Sequence, residues 1–383
     1  MGGRWFWGSA AAAFGLHAWL LFGVDGLGGD GLHGGADIQP HLRLVQLMGE
    51  APGLRSVYPP AYHALGALVS PWLGLAVYPK LAGLLGAAAL IAGFRAFQRA
   101  AALPEAASAL FAWAPYTFSL SWCLPKIEAA GYGLALAALA LQCRRRYAGL
   151  AALLAATFWV HTAAALLLGL CGGVLALADR DRRALLALAA GTLGAFPLIA
   201  AHWGAGCTLA EALLFSPGDY LRGSVALGHD WISLVALVGP IGLGLAWIGA
   251  TTLWRERPSV AWTSGVIVVL YLNELWLAPF SARTTLDLLR GLTILAIPVS
   301  IAGGWALAQR PRAMAAAIAA CAAWAIGVTS FVVPGSCHTK SIDLAAIETL
   351  SVERCTFRWR VPRRSRHAPA QSAATLSLWT GGP

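Results

Sequence analysis

The stretch from Asp25 to His63 holds the densest set of side chains able to move a proton. It contains Asp25, Asp30, Asp37 and Glu50 together with His33, His41 and His63, in a chain with only 17 acidic residues and 9 histidines. A carboxylate held in a pocket can take the proton of an attacking acceptor, and an imidazole beside it can orient or share that proton. Asp37 and His41 are four residues apart, so on one helix they project from the same side. Asp37 also stands where a helix starting at Ile38 needs a cap, and Pro40 is tolerated there because first-turn N–H groups have no partner within the helix. His33, Asp37 and His41 have the spacing of metal ligands on a continuous helix, but Gly34 and Gly35 interrupt it. A divalent cation is therefore left open, and the expected catalytic set is Asp37, His41 and His63.

A second set suits a phosphate and the groups attached to it. Arg55, Lys126, Arg283 and Arg290 are cations, and arginine's planar fork matches phosphate oxygens. Tyr58, Glu128 and His161 join them as expected substrate contacts. Lys126 and Glu128 open an apolar run in LPKIEAAGYG, and His161 lies midway along the uncharged segment from Tyr147 to Ala178. Ionisable groups in or beside membrane spans are costly and usually face a cavity. Each also has a plainer role: Asp37 as a helix cap alone, His161 as the polar cap of a hairpin, Arg283 and Arg290 as partners of Asp287 or of lipid headgroups.

The elements that must position these residues are set by composition. Hydrophobic residues make up 58% of the 383, charged residues 11%, and mean hydropathy is +0.66. A soluble domain has roughly 45–50% and 25%. An all-α, polytopic membrane protein is expected, with about 11 transmembrane helices. The net charge of +10 comes mainly from arginines at span ends, which set topology; nothing resembles a nucleic-acid reader. The first span, Trp5 to Val24, runs into the polar stretch without a small-residue cleavage site and is expected to remain.

With Arg4 inside, the stretch from 25 to 77 is an outer loop. It holds an amphipathic surface helix from residue 38 to 50, with Gln39, Arg43, Gln46 and Glu50 on one side and His41, Leu42, Leu44, Val45 and Met48 on the other. A second helix starts at Pro59 and Pro60 and also lies at the surface. If it does not cross, the clusters Arg95/Arg99, Arg144 to Arg146, Arg180 to Arg183, Arg255/Arg257 and Arg310/Arg312 all face the cytoplasm. The segment from Tyr147 to Ala178 is too long for one span and turns back at His161. Residues 1–333 form the membrane domain and 334–383 a tail without clear periodicity. Cysteines show no CxxC spacing; Cys337 and Cys355 could pair if the tail faces an oxidising compartment.

The pattern resembles the GT-C class of integral-membrane glycosyltransferases that use polyprenyl-phosphate sugars, a group that includes protein mannosyltransferases and aminoarabinose transferase. The parts that carry the resemblance are ADIQPH with Asp37, YPPAYHAL from Pro59 to Leu65, PKIEAAGYG with Lys126 and Glu128, WVHTA with His161, and RTTLDLLRGLTILAIPVSIAGG with Arg283 and Arg290. They extend over residues 1–309. The resemblance implies a lipid-linked sugar donor, a lipid, glycan or protein acceptor, and a loop acid acting as base or metal contact. It also implies a place in the bacterial inner (plasma) membrane. The chain departs from the class in having no acidic pair at Asp37, and no large C-terminal soluble domain is expected from the tail. The alternatives are a secondary transporter, a flippase for lipid-linked saccharides, or a polymerase. A transporter would show inverted repeats and charge near the midplane, and neither is evident.

Overall fold

The computed structural model describes residues 4–22, 38–50, 59–114, 128–198, 200, 235, 238–272, 288–337, 351–352 and 359–360. Among them are thirteen helices, here numbered in chain order. They are α1 (Arg4–Phe22), α2 (Ile38–Glu50), α3 (Pro60–Leu73), α4 (Val77–Ala100), α5 (Glu105–Ala112), α6 (Glu128–Cys143) and α7 (Tyr147–Val160). Next come α8 (Thr162–Ala178), α9 (Arg182–Gly194), α10 (Pro240–Glu256), α11 (Pro258–Tyr271), α12 (Leu288–Ala308) and α13 (Pro311–Cys337). In the tail, Ser351–Val352 (β1) pairs antiparallel with Trp359–Arg360 (β2), and β1 lies beside α2.

Local chemistry explains most boundaries. Pro59 is extended at the start of α3 and Pro60 takes the first helical position, where its missing N–H costs nothing. The helix stops at Gly74, whose φ of 84° suits glycine alone. Asp181 caps α9 by accepting from the N–H groups of Arg183 and Ala184, both at 3.1 Å. The helices α7 and α8 have the boundaries expected from sequence, with His161 as the single residue between them.

Packing then gives the bundle two unlike ends. Phe6, near the start of α1, lies 4.5 Å from the Arg95 guanidinium near the end of α4, and Phe22 lies 5.8 Å from the Lys80 amine near the start of α4. The two helices are thus antiparallel, and α2 and α3 sit at the end away from Arg95. At the arginine end, Tyr147 donates to Asp181 at 2.9 Å, which joins the turns before α7 and α9. Gln309 donates to Thr252 at 2.9 Å, which joins the turns after α10 and α12. These bonds tie the connection carrying Arg144 to Arg146 to the one carrying Arg180 to Arg183, and the one carrying Arg255/Arg257 to the one carrying Arg310/Arg312. Helix α6 runs alongside α4 in the same direction, because a Cβ at Gly86 would touch Ala129, and one at Gly93 would run into the Gly133 backbone. That close approach needs glycine on both helices. It also places Glu128, at the start of α6, toward the α2–α3 end.

The outside is apolar. Trp72 is 87% exposed, Trp247 86%, Leu193 71% and Leu68 70%, a density of large apolar side chains that suits lipid contact better than water. By length and composition one helix among the described residues, α4, suffices to cross a membrane. The helices α6, α7, α8 and α11 are apolar but have 16, 14, 17 and 14 residues. At 1.5 Å per residue the shortest reach about 21 Å, less than the ~30 Å hydrocarbon layer. The helical architecture agrees with the expected class, while the count of eleven spans exceeds what these lengths establish.

Candidate functional site

Helix α2 forms where expected, and its apolar side is inward: Leu42, Leu44 and Val45 are buried. Its polar side carries Arg43, which donates to Gln46 at 3.3 Å and pairs with Glu50 at 3.8 Å. His41 lies on the border between these sides and meets α3. Its Nδ1 is 2.8 Å from Nε2 of His63, and the two rings are stacked with centroids 5.1 Å apart. His63 is only 2% exposed, and its Nδ1 is 3.3 Å from the carbonyl oxygen of Pro59. A carbonyl only accepts, so His63 carries its proton on Nδ1, its Nε2 is the acceptor, and His41 donates from Nδ1. Burial lowers the His63 pKa from 6.5 to about 4, against a smaller opposite effect of the Pro59 carbonyl. Tyr62, buried beside this pair, is pushed above its ordinary range by the same desolvation, and its backbone carbonyl accepts from the Tyr78 hydroxyl. The α2–α3 unit packs against α4 and α7.

A second pair forms where α6 begins and α7 turns into α8. His161 is extended (φ −159°), its N–H donates to the Thr157 carbonyl at 2.7 Å, and its Nδ1 accepts from the Ala164 N–H at 3.1 Å. The side chain is thus the N-cap of α8. With Nδ1 accepting, the ring proton sits on Nε2, which lies 3.9 Å from Oε1 of Glu128. The His161 and Glu128 side chains are 18% and 19% exposed, so the pair is sheltered but reachable. Tyr132, one turn after Glu128, packs its ring 5.5 Å from His161. Gly131 makes room, because a Cβ there would strike the Cβ of His161. Tyr132 also borders a small, partly open apolar cavity of about 20 Å³ with Phe97, Leu168 and Ile297.

Of the expected site residues, then, His41 and His63 are in direct contact, and Glu128 and His161 form a second pair. Asp37, Arg55, Tyr58, Lys126 and Arg283 lie outside the described residues, as do Asp25, Asp30 and the Cys355 half of the expected disulfide. Arg290 falls in the first turn of α12, its side chain outside them. No group of three or more metal-ligating side chains occurs among the described residues. Spacing alone does not single out Lys80 or His17, which are 4% and 2% exposed near the same end of α4 and α1. The available signal was an ionisable residue inside an apolar run.

No family model and no curated protein match the chain. Among the solved structures that share its fold are two of one protein. The crystal structure of ArnT from Cupriavidus metallidurans bound to undecaprenyl phosphate is 16% identical with a TM-score of 0.53, over 90% of this chain and 67% of that one. The apo structure of the same protein is 16% identical with a TM-score of 0.52, over 88% and 65%. The chain shares the fold of these structures. It spans about two thirds of the length of ArnT.

Proposed function

We propose that this protein sits in the bacterial inner membrane and transfers a sugar from a polyprenyl-phosphate donor to an acceptor at the outer face. The observation that carries this is the pair His41–His63, which joins α3 to α2, the helix that begins one residue after Asp37, in a fold shared with a protein that binds undecaprenyl phosphate. In the reaction the acceptor oxygen or nitrogen forms a bond to the anomeric carbon, the bond from that carbon to phosphate oxygen breaks, and polyprenyl phosphate leaves with the electron pair. The acceptor's proton goes to the Asp37 carboxylate. His41, one turn along and held by His63, orients that carboxylate. Arg55, Lys126, Arg283 and Arg290 are assigned to the phosphate, whose developing charge fixed cations stabilise, and Tyr58 to the substrate. Glu128 and His161 are assigned to the substrate.

Asparagine caps a helix almost as well as aspartate but takes up no proton. In purified protein, Asp37→Asn is therefore expected to lower turnover about 10²- to 10⁴-fold with donor binding retained. Turnover at the wild-type rate overturns the assignment of Asp37 as base.

A further inference from the structure

A carboxylate is an unfavourable neighbour for a phosphate, so Glu128 needs a role different from that of the cations. It stands at the first residue of α6, beside the first-turn N–H groups. One of its oxygens faces the Nε2–H of His161 at 3.9 Å, an ion-pair distance longer than a hydrogen bond. An ionised carboxylate offers about four acceptor sites and no donor. The ligand that complements it is a set of O–H or N–H groups, which the phosphate lacks and a sugar carries.

His161 is built to hold this arrangement. Its Nδ1 is occupied by the Ala164 N–H, so the ring presents a donor, never an acceptor, to Glu128 while the cap is intact. Gly131 and Tyr132 fix the ring between them, the glycine by leaving space and the tyrosine by contact at 5.5 Å. Both members of the pair remain partly open, unlike His63.

We infer that Glu128 binds hydroxyl or amino groups of the donor sugar and that His161 is the positioning residue that aims the Glu128 carboxylate. This rests on the glycosyl-transfer reading and deepens it. The sugar would be read by charge-assisted hydrogen bonds to Glu128, separately from the phosphate.

The test is equilibrium binding to the full-length protein in lipid nanodiscs. The probes are undecaprenyl phosphate and its glucose, mannose and aminoarabinose esters. Wild type should bind at least one ester more tightly than the bare lipid. Glu128→Gln should weaken that ester about 10- to 100-fold, the worth of a charge-assisted bond, and leave the bare lipid unchanged. His161→Asn keeps a helix cap but has no ring N–H toward Glu128, and should weaken the ester about 3- to 10-fold. In the Glu128→Gln background it should add nothing.

Equal loss for ester and bare lipid, or no loss, overturns the assignment of Glu128. That assignment also fails if wild type binds every ester no better than the bare lipid. Additive effects of the two substitutions overturn the positioning role of His161. Wild type that binds none of the four lipids overturns the glycosyl-transfer reading itself, a result distinct from the others.

Discussion

Two histidines, His63 and His161, use the same nitrogen to touch the backbone and emerge with opposite character. Nδ1 of His63 meets a carbonyl and must donate, so its Nε2 accepts from His41. Nδ1 of His161 meets an N–H and must accept, so its Nε2 donates toward Glu128. The backbone group one turn away, an accepting C=O before α3 or a donating N–H inside α8, decides which polarity the ring offers. Access differs as well: His63 is sealed between α2 and α3, whereas the His161 side chain retains 18% exposure. The sealed histidine fixes another side chain, and the open one faces whatever enters. In the proposed reaction that contrast separates a proton-transfer side at α2 from a substrate-reading side at α6 and α8.

The contrast is most strongly tested by acid. His63 has a folded pKa of about 4 against 6.5 when unfolded, so its neutral form contributes stability in full above pH 6.5. That contribution falls as pH drops from 6.5 through 4, because the unfolded chain binds the proton first. The loss is about 3 kcal/mol when fully developed. Hydrogen exchange of α2 and α3 amides should accelerate over this window in wild type. In His63→Leu the acceleration should be absent; if it persists unchanged, the buried ring is not its origin.

A smaller effect is expected from Gly131→Ala. The added methyl meets the Cβ of His161 and must push the ring or the α6–α8 contact apart, an overpacking cost of about 1–3 kcal/mol. Thermal unfolding should register the loss, and amide exchange in α2 should stay as in wild type. An equal disturbance of α2 would show that the two sites are one cooperative unit.

The smallest expected change separates cap from ligand. Replacing His161 by Ala removes the bond to the Ala164 N–H and should cost about 1 kcal/mol, whereas Asn should recover most of it. Unfolding of the two variants in one detergent compares them directly. Equal stability of the Ala and Asn variants would rule out a capping role for this residue.

The sequence by itself determined the helices and much of their ends. Helix formation and termination depend on neighbours within a turn, so Pro59–Pro60 and the arginine clusters mark boundaries that the fold keeps. Amphipathic spacing likewise put Leu42, Leu44 and Val45 inward and left Glu50 exposed. The turn at His161 was legible because the uncharged segment was too long for one span. What only the tertiary structure decided is which side chains meet across helices. His41 touches His63 from 22 residues away, and Glu128 faces His161 across a hairpin. Burial of Lys80 and His17, the glycine-to-glycine crossing of α4 and α6, and the approach of β1 to α2 are equally non-local. Lateral packing selects these contacts, and the polarity of each histidine follows from them, since no spacing rule says whether a ring will end beside a carbonyl or an N–H.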